Sequence, residues 1–149
     1  MSHSEAASNL TALVVEDFDY TRELISAWLR KKGFRVLEAA DGAEAVEIVR
    51  HKCPDLIIMD LSLPRVDGIS ATLIIRELEG GGEVPIIACS AHSSREWYEQ
   101  ALMAGCTDFV SKPVDLDALE TAIARCILEA VITSHLNSEK GKRGGEVLH

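Results

Sequence analysis

The sequence predicts an α/β fold, a doubly wound sheet of five parallel strands with helices on both faces. Three observations predict it. Short apolar runs such as LTALVV (10–15), LIIMD (56–60) and PIIACS (85–90) lack polar alternation, as expected of strands buried on both faces. Stretches with helical spacing separate them, and the strand–helix pair occurs five times. The runs also end abruptly on polar residues, and the carboxyl ends of strands are where open parallel sheets bind ligands.

The elements follow in order. Leu10 to Val15 is the first strand and ends on Glu16 and Asp17. Asp19 to Lys32 reads as a helix, with Leu24, Ile25, Trp28 and Leu29 on one buried face. Asp19 is its expected N-cap, Arg30 to Lys32 suit its negative end, and Gly33 stops it. Arg35 to Ala39 is the second strand. Gly42 to His51 is the second helix, with Ala45, Val46 and Val49 inward, and Pro54 prevents its continuation. Leu56 to Asp60 is the third strand, followed by Pro64 and the turn-forming Asp67 and Gly68. Ile69 to Leu78 is the third helix, broken by the glycines at 80 to 82. Pro85 to Ser90 is the fourth strand. Ser93 or Ser94 caps a fourth helix that runs to Ala104 and ends at Gly105. Asp108 to Ser111 is the fifth strand and leads into Lys112 and Pro113. Asp115 to Ile132 is the last helix, with Leu116, Leu119, Ile123, Ile127 and Val131 at helical spacing. Residues 1–9 read as a disordered tail, 10–133 as the single domain and 134–149 as a polar tail or linker.

Composition excludes several classes of function. With 47% hydrophobic and only 5% aromatic residues, the core is built from aliphatic side chains. A net charge of -9 argues against nucleic acid or an anionic membrane as partner. No apolar run is long enough to span a bilayer, and the first nine residues lack the apolar stretch of a secretory signal. Cys53, Cys89, Cys106 and Cys126 form no C-x-x-C pair and read as reduced thiols of a cytoplasmic protein. The histidines at 3, 51, 92, 135 and 149 are too scattered for a metal site. Glycines 80 to 82 follow a helix and carry no G-x-x-x-x-G-K pattern, so they read as a loop and not as a phosphate cradle. Trp97 and Tyr98 cannot both face inward, which leaves one as an exposed aromatic suited to an interface or a partly buried one with no partner.

The strand ends carry the chemistry. Glu16 and Asp17, Asp60, Ser90 and Lys112 converge on one edge of the sheet from alternation alone. Clustered carboxylates repel one another, and a divalent cation relieves that repulsion. Oxygen donors suit Mg²⁺ better than zinc. Asp60 is then placed to act as a nucleophile on phosphorus, with Lys112 and the Ser90 hydroxyl holding phosphoryl oxygens.

On these residues the sequence strongly resembles response-regulator receiver domains of two-component signalling, over about Thr11 to Ile132. The resemblance rests on V-V-E-D (Val14 to Asp17), M-D-L-S-L-P with D-G (Met59 to Pro64, Asp67 and Gly68), C-S-A (Cys89 to Ala91) and F-V-S-K-P (Phe109 to Pro113). It implies a flavodoxin-like receiver fold with strand order 2-1-3-4-5 and five helices. It implies Asp60 as phosphoacceptor and Glu16 and Asp17 as the Mg²⁺-binding pair, Asp17 more directly. Ser62 stands where the family's main-chain carbonyl joins the metal shell. Ser90 matches the switch hydroxyl and Phe109 the switch aromatic. Lys112 matches the family lysine, and its bond to Pro113 is expected to be cis. Ser62 and His92 match the two positions that tune the life of the phosphoryl group, and His92 is a less common occupant.

The implied partners are a histidine kinase or histidine phosphotransfer protein and a downstream protein target. The surface of the fourth helix, fifth strand and fifth helix is expected to change on phosphorylation. The chain is expected to act as a monomer or a weak, phosphorylation-dependent homodimer. Too few residues follow the last helix for a DNA-binding module, so the expectation is a single-domain regulator or part of a longer one. The expected role is a signal, with the receiver itself assisting transfer to Asp60 and slow hydrolysis from it.

Other functions on this architecture fit less well. A flavodoxin-like loop would be rich in hydroxyls, whereas Glu16, Asp17 and Asp19 would repel a flavin phosphate. An aspartate-nucleophile phosphatase would usually carry a carboxylate two residues after Asp60, where Ser62 stands. A pseudo-receiver that only binds partners usually lacks the aspartate or the lysine, and both are present.

Overall fold

The structure is a computed structural model, and it describes residues 10–92 and 94–129. Strands and helices alternate: β1 (Thr11–Val15), α1 (Asp19–Lys31), β2 (Arg35–Ala39), α2 (Gly42–Lys52), β3 (Leu56–Asp60), α3 (Gly68–Glu77), β4 (Ile86–Ser90), α4 (Arg95–Ala104) and β5 (Asp108–Ser111). A last helix, α5, covers residues 116–129. The sheet order is β2-β1-β3-β4-β5, and every neighbouring pair is parallel. The expected N-terminal tail, Ser93, the end of the last helix with Val131 and Ile132, and the 134–149 tail lie outside the described residues.

The winding follows from burial. β3 and β4 are buried at every position, so each face of the sheet needs its own apolar cover. On one face Leu13, Val15, Ile57, Met59, Ile86 and Ala88 pack with Ala45, Val46 and Val49 of α2, Ala71 and Ile75 of α3, and Ala101 of α4. On the other, Ala12, Val14, Leu56, Ile58, Ile87, Cys89 and Val110 pack with Ile25 and Leu29 of α1 and Leu119, Ala122, Ile123 and Cys126 of α5. The alternation along each strand, invisible in an all-apolar run, assigns odd and even positions to different helices.

The helix ends fix where the loops leave. The Asp41, Asp67 and Ser94 side chains accept from the backbone N–H three residues on and cap α2, α3 and α4. Asp115 accepts from the N–H groups of Asp117 and Ala118 at the start of α5. Gly105 ends α4 at φ 117°, a left-handed conformation that glycine adopts without a Cβ clash.

α1 departs from expectation in two ways. Its cap position is Phe18, with no side-chain cap bond, and Asp19 is the first helical residue. Asp19 instead pairs with Arg22 at 2.6 Å, and its charge still suits the positive end of the helix. Leu24 is 47% exposed, while Ile25 and Leu29 are buried. An apolar stripe on a helix does not say whether it meets the sheet or lines a cleft beside it.

Candidate functional site

Parallel strands bring their carboxyl ends to one edge, and three backbone contacts draw that edge together. Glu16 N–H donates to Ala39 O, Leu61 N–H to Cys89 O, and Lys112 N–H to Ser90 O. The N-terminus of α3 lies against the end of β3. Gly68 N–H donates to Leu61 O, and a Cβ at Gly68 would collide with the Asp60 carbonyl. Glycine is what this close approach admits.

Here five of the expected residues come together. A cleft of about 410 Å³ is lined by Glu16, Asp17, Asp60, Ser62 and Lys112 on its polar side. Glu16 and Asp60 are 4% and 3% exposed, whereas Asp17 is open to solvent. Lys112 Nζ donates to Glu16 Oε1 at 2.8 Å and lies 3.1 Å from Asp60 Oδ2. Asp60 Oδ1 accepts from the Ser62 backbone N–H at 3.0 Å, and Glu16 Oε2 accepts from the Phe18 N–H at 3.1 Å. Arg22, which sequence patterning does not single out, bonds the Glu16 carbonyl at 2.8 Å and steadies the end of β1. The Lys112–Pro113 bond is cis.

Charge decides the state of the lysine. Burial alone would lower its pKa, but the bonds and charges of Glu16 and Asp60 outweigh that and hold it above the ordinary lysine value. Lys112 is therefore a fixed ammonium between two buried carboxylates. Glu16, Asp17 and Asp60 each offer one oxygen, and the three lie within 4.8 Å of one another. The donors are all oxygens, a set that fits Mg²⁺ and not the nitrogen and sulfur preference of zinc.

Three expected residues stand apart from this cleft. Ser90 is fully buried at the end of β4 but is not among the cleft's lining residues. Its Oγ accepts from Trp97 Nε1–H at 2.7 Å and from the His92 backbone N–H at 3.0 Å. Phe109 is half-buried and meets Tyr98 edge-on, with ring centroids 5.6 Å apart. The His92 side chain is exposed and lies edge-on to Trp97, and it too is absent from the cleft lining. The Trp97–Ser90 bond had one sequence signal, an indole N–H on a helix facing a strand end that carries a hydroxyl. The apolar side of the cleft is Phe18, Leu24, Ile25, Pro113, Val114 and Leu116, which accounts for the exposure of Leu24.

A doubly wound sheet with an acidic cluster and a fixed lysine at its switch-point edge defines a class of phosphoryl-handling proteins. Residues 12–124 match the response regulator receiver domain, and the chain belongs to that family of two-component signalling proteins. It is 37% identical over 116 residues to the chemotaxis protein CheY of Bacillus subtilis, covering 77% of this chain and 95% of that protein. It is 34% identical to hybrid signal transduction histidine kinase I of Dictyostelium discoideum, where the match covers 86% of this chain but only 8% of the kinase. Among solved structures it resembles the receiver domain of the sensor histidine kinase PA1611 from Pseudomonas aeruginosa, which has magnesium coordinated in its active-site cleft. That likeness has TM-score 0.74 and 40% identity, covering 79% of this chain and 97% of the other. The Saccharomyces cerevisiae Ssk1 receiver domain, solved with the phosphotransfer protein Ypd1, is similar at TM-score 0.69 and 35% identity, covering 74% and 83% of the two chains.

Proposed function

We propose that Asp60 is the phosphoacceptor of this receiver and that the chain takes its phosphoryl group from a phosphohistidine of a kinase or phosphotransfer protein. One observation carries the reading: Lys112 Nζ lies between Asp60 and Glu16, with Asp17 completing an oxygen cluster beside them. An Asp60 carboxylate oxygen attacks phosphorus, the P–N bond breaks, and the histidine leaves with its ring nitrogen free to take a proton. Lys112 is placed to exchange a carboxylate partner for a phosphoryl oxygen. The Ser62 N–H orients the nucleophile. Glu16, Asp17, Asp60 and the Ser62 carbonyl would hold Mg²⁺, which supplies positive charge for the transferring phosphoryl oxygens when bound. Such transfer depends mainly on positioning and charge neutralisation, so the receiver assists its own phosphorylation and a slower hydrolysis.

The partner meets the molecule at the cleft mouth. Phe18, 62% exposed, lines one side of it beside the 47% exposed Leu24. That apolar rim suits a helical protein surface carrying the phosphohistidine. Ser90 and Phe109 are the switch pair, and the surface of α4, β5 and α5 is what a downstream protein reads. His92 and Ser62 tune the lifetime of the acyl phosphate. The working unit is residues 10–133, a span that encloses the family match. It acts in the cytoplasm as a monomer or a weak, phosphorylation-dependent homodimer. Its net charge of -9 disfavours nucleic acid, and no described helix is long and apolar enough to cross a membrane.

Beryllofluoride with Mg²⁺ tests the reading, because it mimics an aspartyl phosphate. Chemical-shift changes at Asp60, Ser90 and Phe109 are expected, together with transfer from a histidine-phosphorylated phosphotransfer protein to Asp60 seen by peptide mass spectrometry. The absence of any Mg²⁺-dependent response would sink it.

A further inference from the structure

Consecutive residues of α4 hold the two side chains assigned to switching. Trp97 bonds Ser90 through its indole N–H, and Tyr98 packs edge-on against Phe109. A serine oxygen has two acceptor sites and one donor hydrogen. Trp97 Nε1–H and the His92 N–H, at 2.7 and 3.0 Å, supply a donor for each acceptor site. The hydroxyl is thus tied to the α4 side of a fully buried residue, off the lining of the Asp60 cleft. The indole N–H can only donate, and in its half-buried setting Ser90 Oγ is its acceptor. The His92 and Trp97 rings pack in a T-shape with centroids 5.5 Å apart.

Resting on the reading of Asp60 as acceptor, we propose that Trp97 is a latch. It is a positioning residue that holds the Ser90 hydroxyl toward α4 in the unphosphorylated protein and sets the threshold for switching. A phosphoryl group on Asp60 offers charged oxygens that accept, and the Ser90 hydroxyl hydrogen, which neither of these bonds uses, makes a strong bond to such an oxygen. Reaching it requires Oγ to turn from the α4 side toward the Asp60 cleft, and that turn breaks the bond from Trp97. The freed indole must find a new partner. A cavity of about 260 Å³ lined by His92, Ser94 and Trp97 gives it room to turn. Breaking this bond changes the start of α4 directly, so the event at Asp60 reaches the α4 surface through Trp97 as well as through Phe109. One neutral hydrogen bond is worth about three- to tenfold in a two-state equilibrium, a size that sets a threshold without locking the protein.

The test uses the full chain, labelled with ¹⁵N and followed by its indole N–H signals, with Trp28→Phe to assign them. At rest the Trp97 indole N–H is expected to be protected from solvent exchange, and Ser90→Ala is expected to shift it and strip that protection. Beryllofluoride with Mg²⁺ is expected to strip it in the parent chain too. Trp97→Phe, which keeps a ring but no donor, is expected to bind beryllofluoride about three- to tenfold more tightly. The latch is overturned if the indole stays protected while Asp60 responds, or if Trp97→Phe binds no more tightly. If Asp60 itself gives no response, the acceptor reading falls and takes the latch with it, so the two failures are told apart. Ser90→Ala leaves position 97 intact and tests the resting bond even if Trp97→Phe does not fold.

Discussion

Two half-buried cations stand at opposite edges of the same sheet, and they are satisfied in different ways. Arg76, at the end of α3, donates to the backbone carbonyls of Gly105, Gly81 and Val84 at 2.7–3.0 Å. It thereby ties together the loops that enter β4 and β5. Lys112, at the carboxyl edge, faces the carboxylates of Glu16 and Asp60. Burial holds the Arg76 pKa below the ordinary arginine value, because its partners are dipoles without charge. The Lys112 pKa is raised, because two charges more than offset its burial. Carbonyls bonded to a guanidinium have nowhere else to go, so that edge is fixed. Carboxylates bonded to an ammonium can be shared with a metal or a phosphoryl group, so the other edge is exchangeable. One edge gives the fold its rigidity and the other its chemistry.

The hardest break is Asp60→Asn. It should abolish phosphoryl acceptance, measured by mass spectrometry after incubation with a phosphorylated donor, while leaving the Arg76 bonds intact. Arg76→Ala should strand three carbonyls at the amino edge and lower stability by about 2–4 kcal/mol in urea unfolding. Its folded fraction should still respond to beryllofluoride, and loss of that response would show that the edges are not separable. Lys112→Ala should act chiefly on the chemistry. Beryllofluoride binding should weaken by about 10- to 100-fold, the worth of a bond to a charged group. Mg²⁺ should also raise its melting temperature more than it raises the parent's, since the carboxylates then repel without a counter-charge.

Alkaline pH separates the edges more gently. Lys112 has a raised folded pKa, so its stabilising share is full below the ordinary lysine value of 10.5 and is lost as pH rises through the folded value. Burial pushes the Cys89 thiol up to about 12 from 9.0, which carries the same sign and starts at lower pH. Parent and Lys112→Ala unfolding curves should therefore run parallel up to about pH 10.5 and converge above it. The smallest effect is His92→Ala, which should change the acyl-phosphate half-life and leave acceptance nearly intact. Complete loss of acceptance would refute its tuning role.

The alternation of apolar runs with helical stretches was legible because burial of a parallel strand on both faces demands uninterrupted apolar residues. The clustering of Glu16, Asp17, Asp60 and Lys112 was legible for a topological reason: parallel strands share one carboxyl edge, so their end residues must meet. Side-chain direction at the surface was not legible. Leu24 carries the helical spacing of a core residue, yet it lines the cleft. Asp19 looks like a cap, yet Phe18 holds the cap position. Arg76 reads as one more charge on a helix, and nothing nearby in sequence marks Gly105 as its partner.

The sequence by itself determined the strand–helix alternation and the polar edge, because each follows from runs read along the chain, and the motifs at four strand ends carried the resemblance that implied the strand order. Tertiary structure alone decided which way Ser90 faces, which residues rim the cleft, and how the two cations are satisfied. Those depend on contacts such as Lys112 with Glu16, 96 residues apart, whose partners no local pattern specifies.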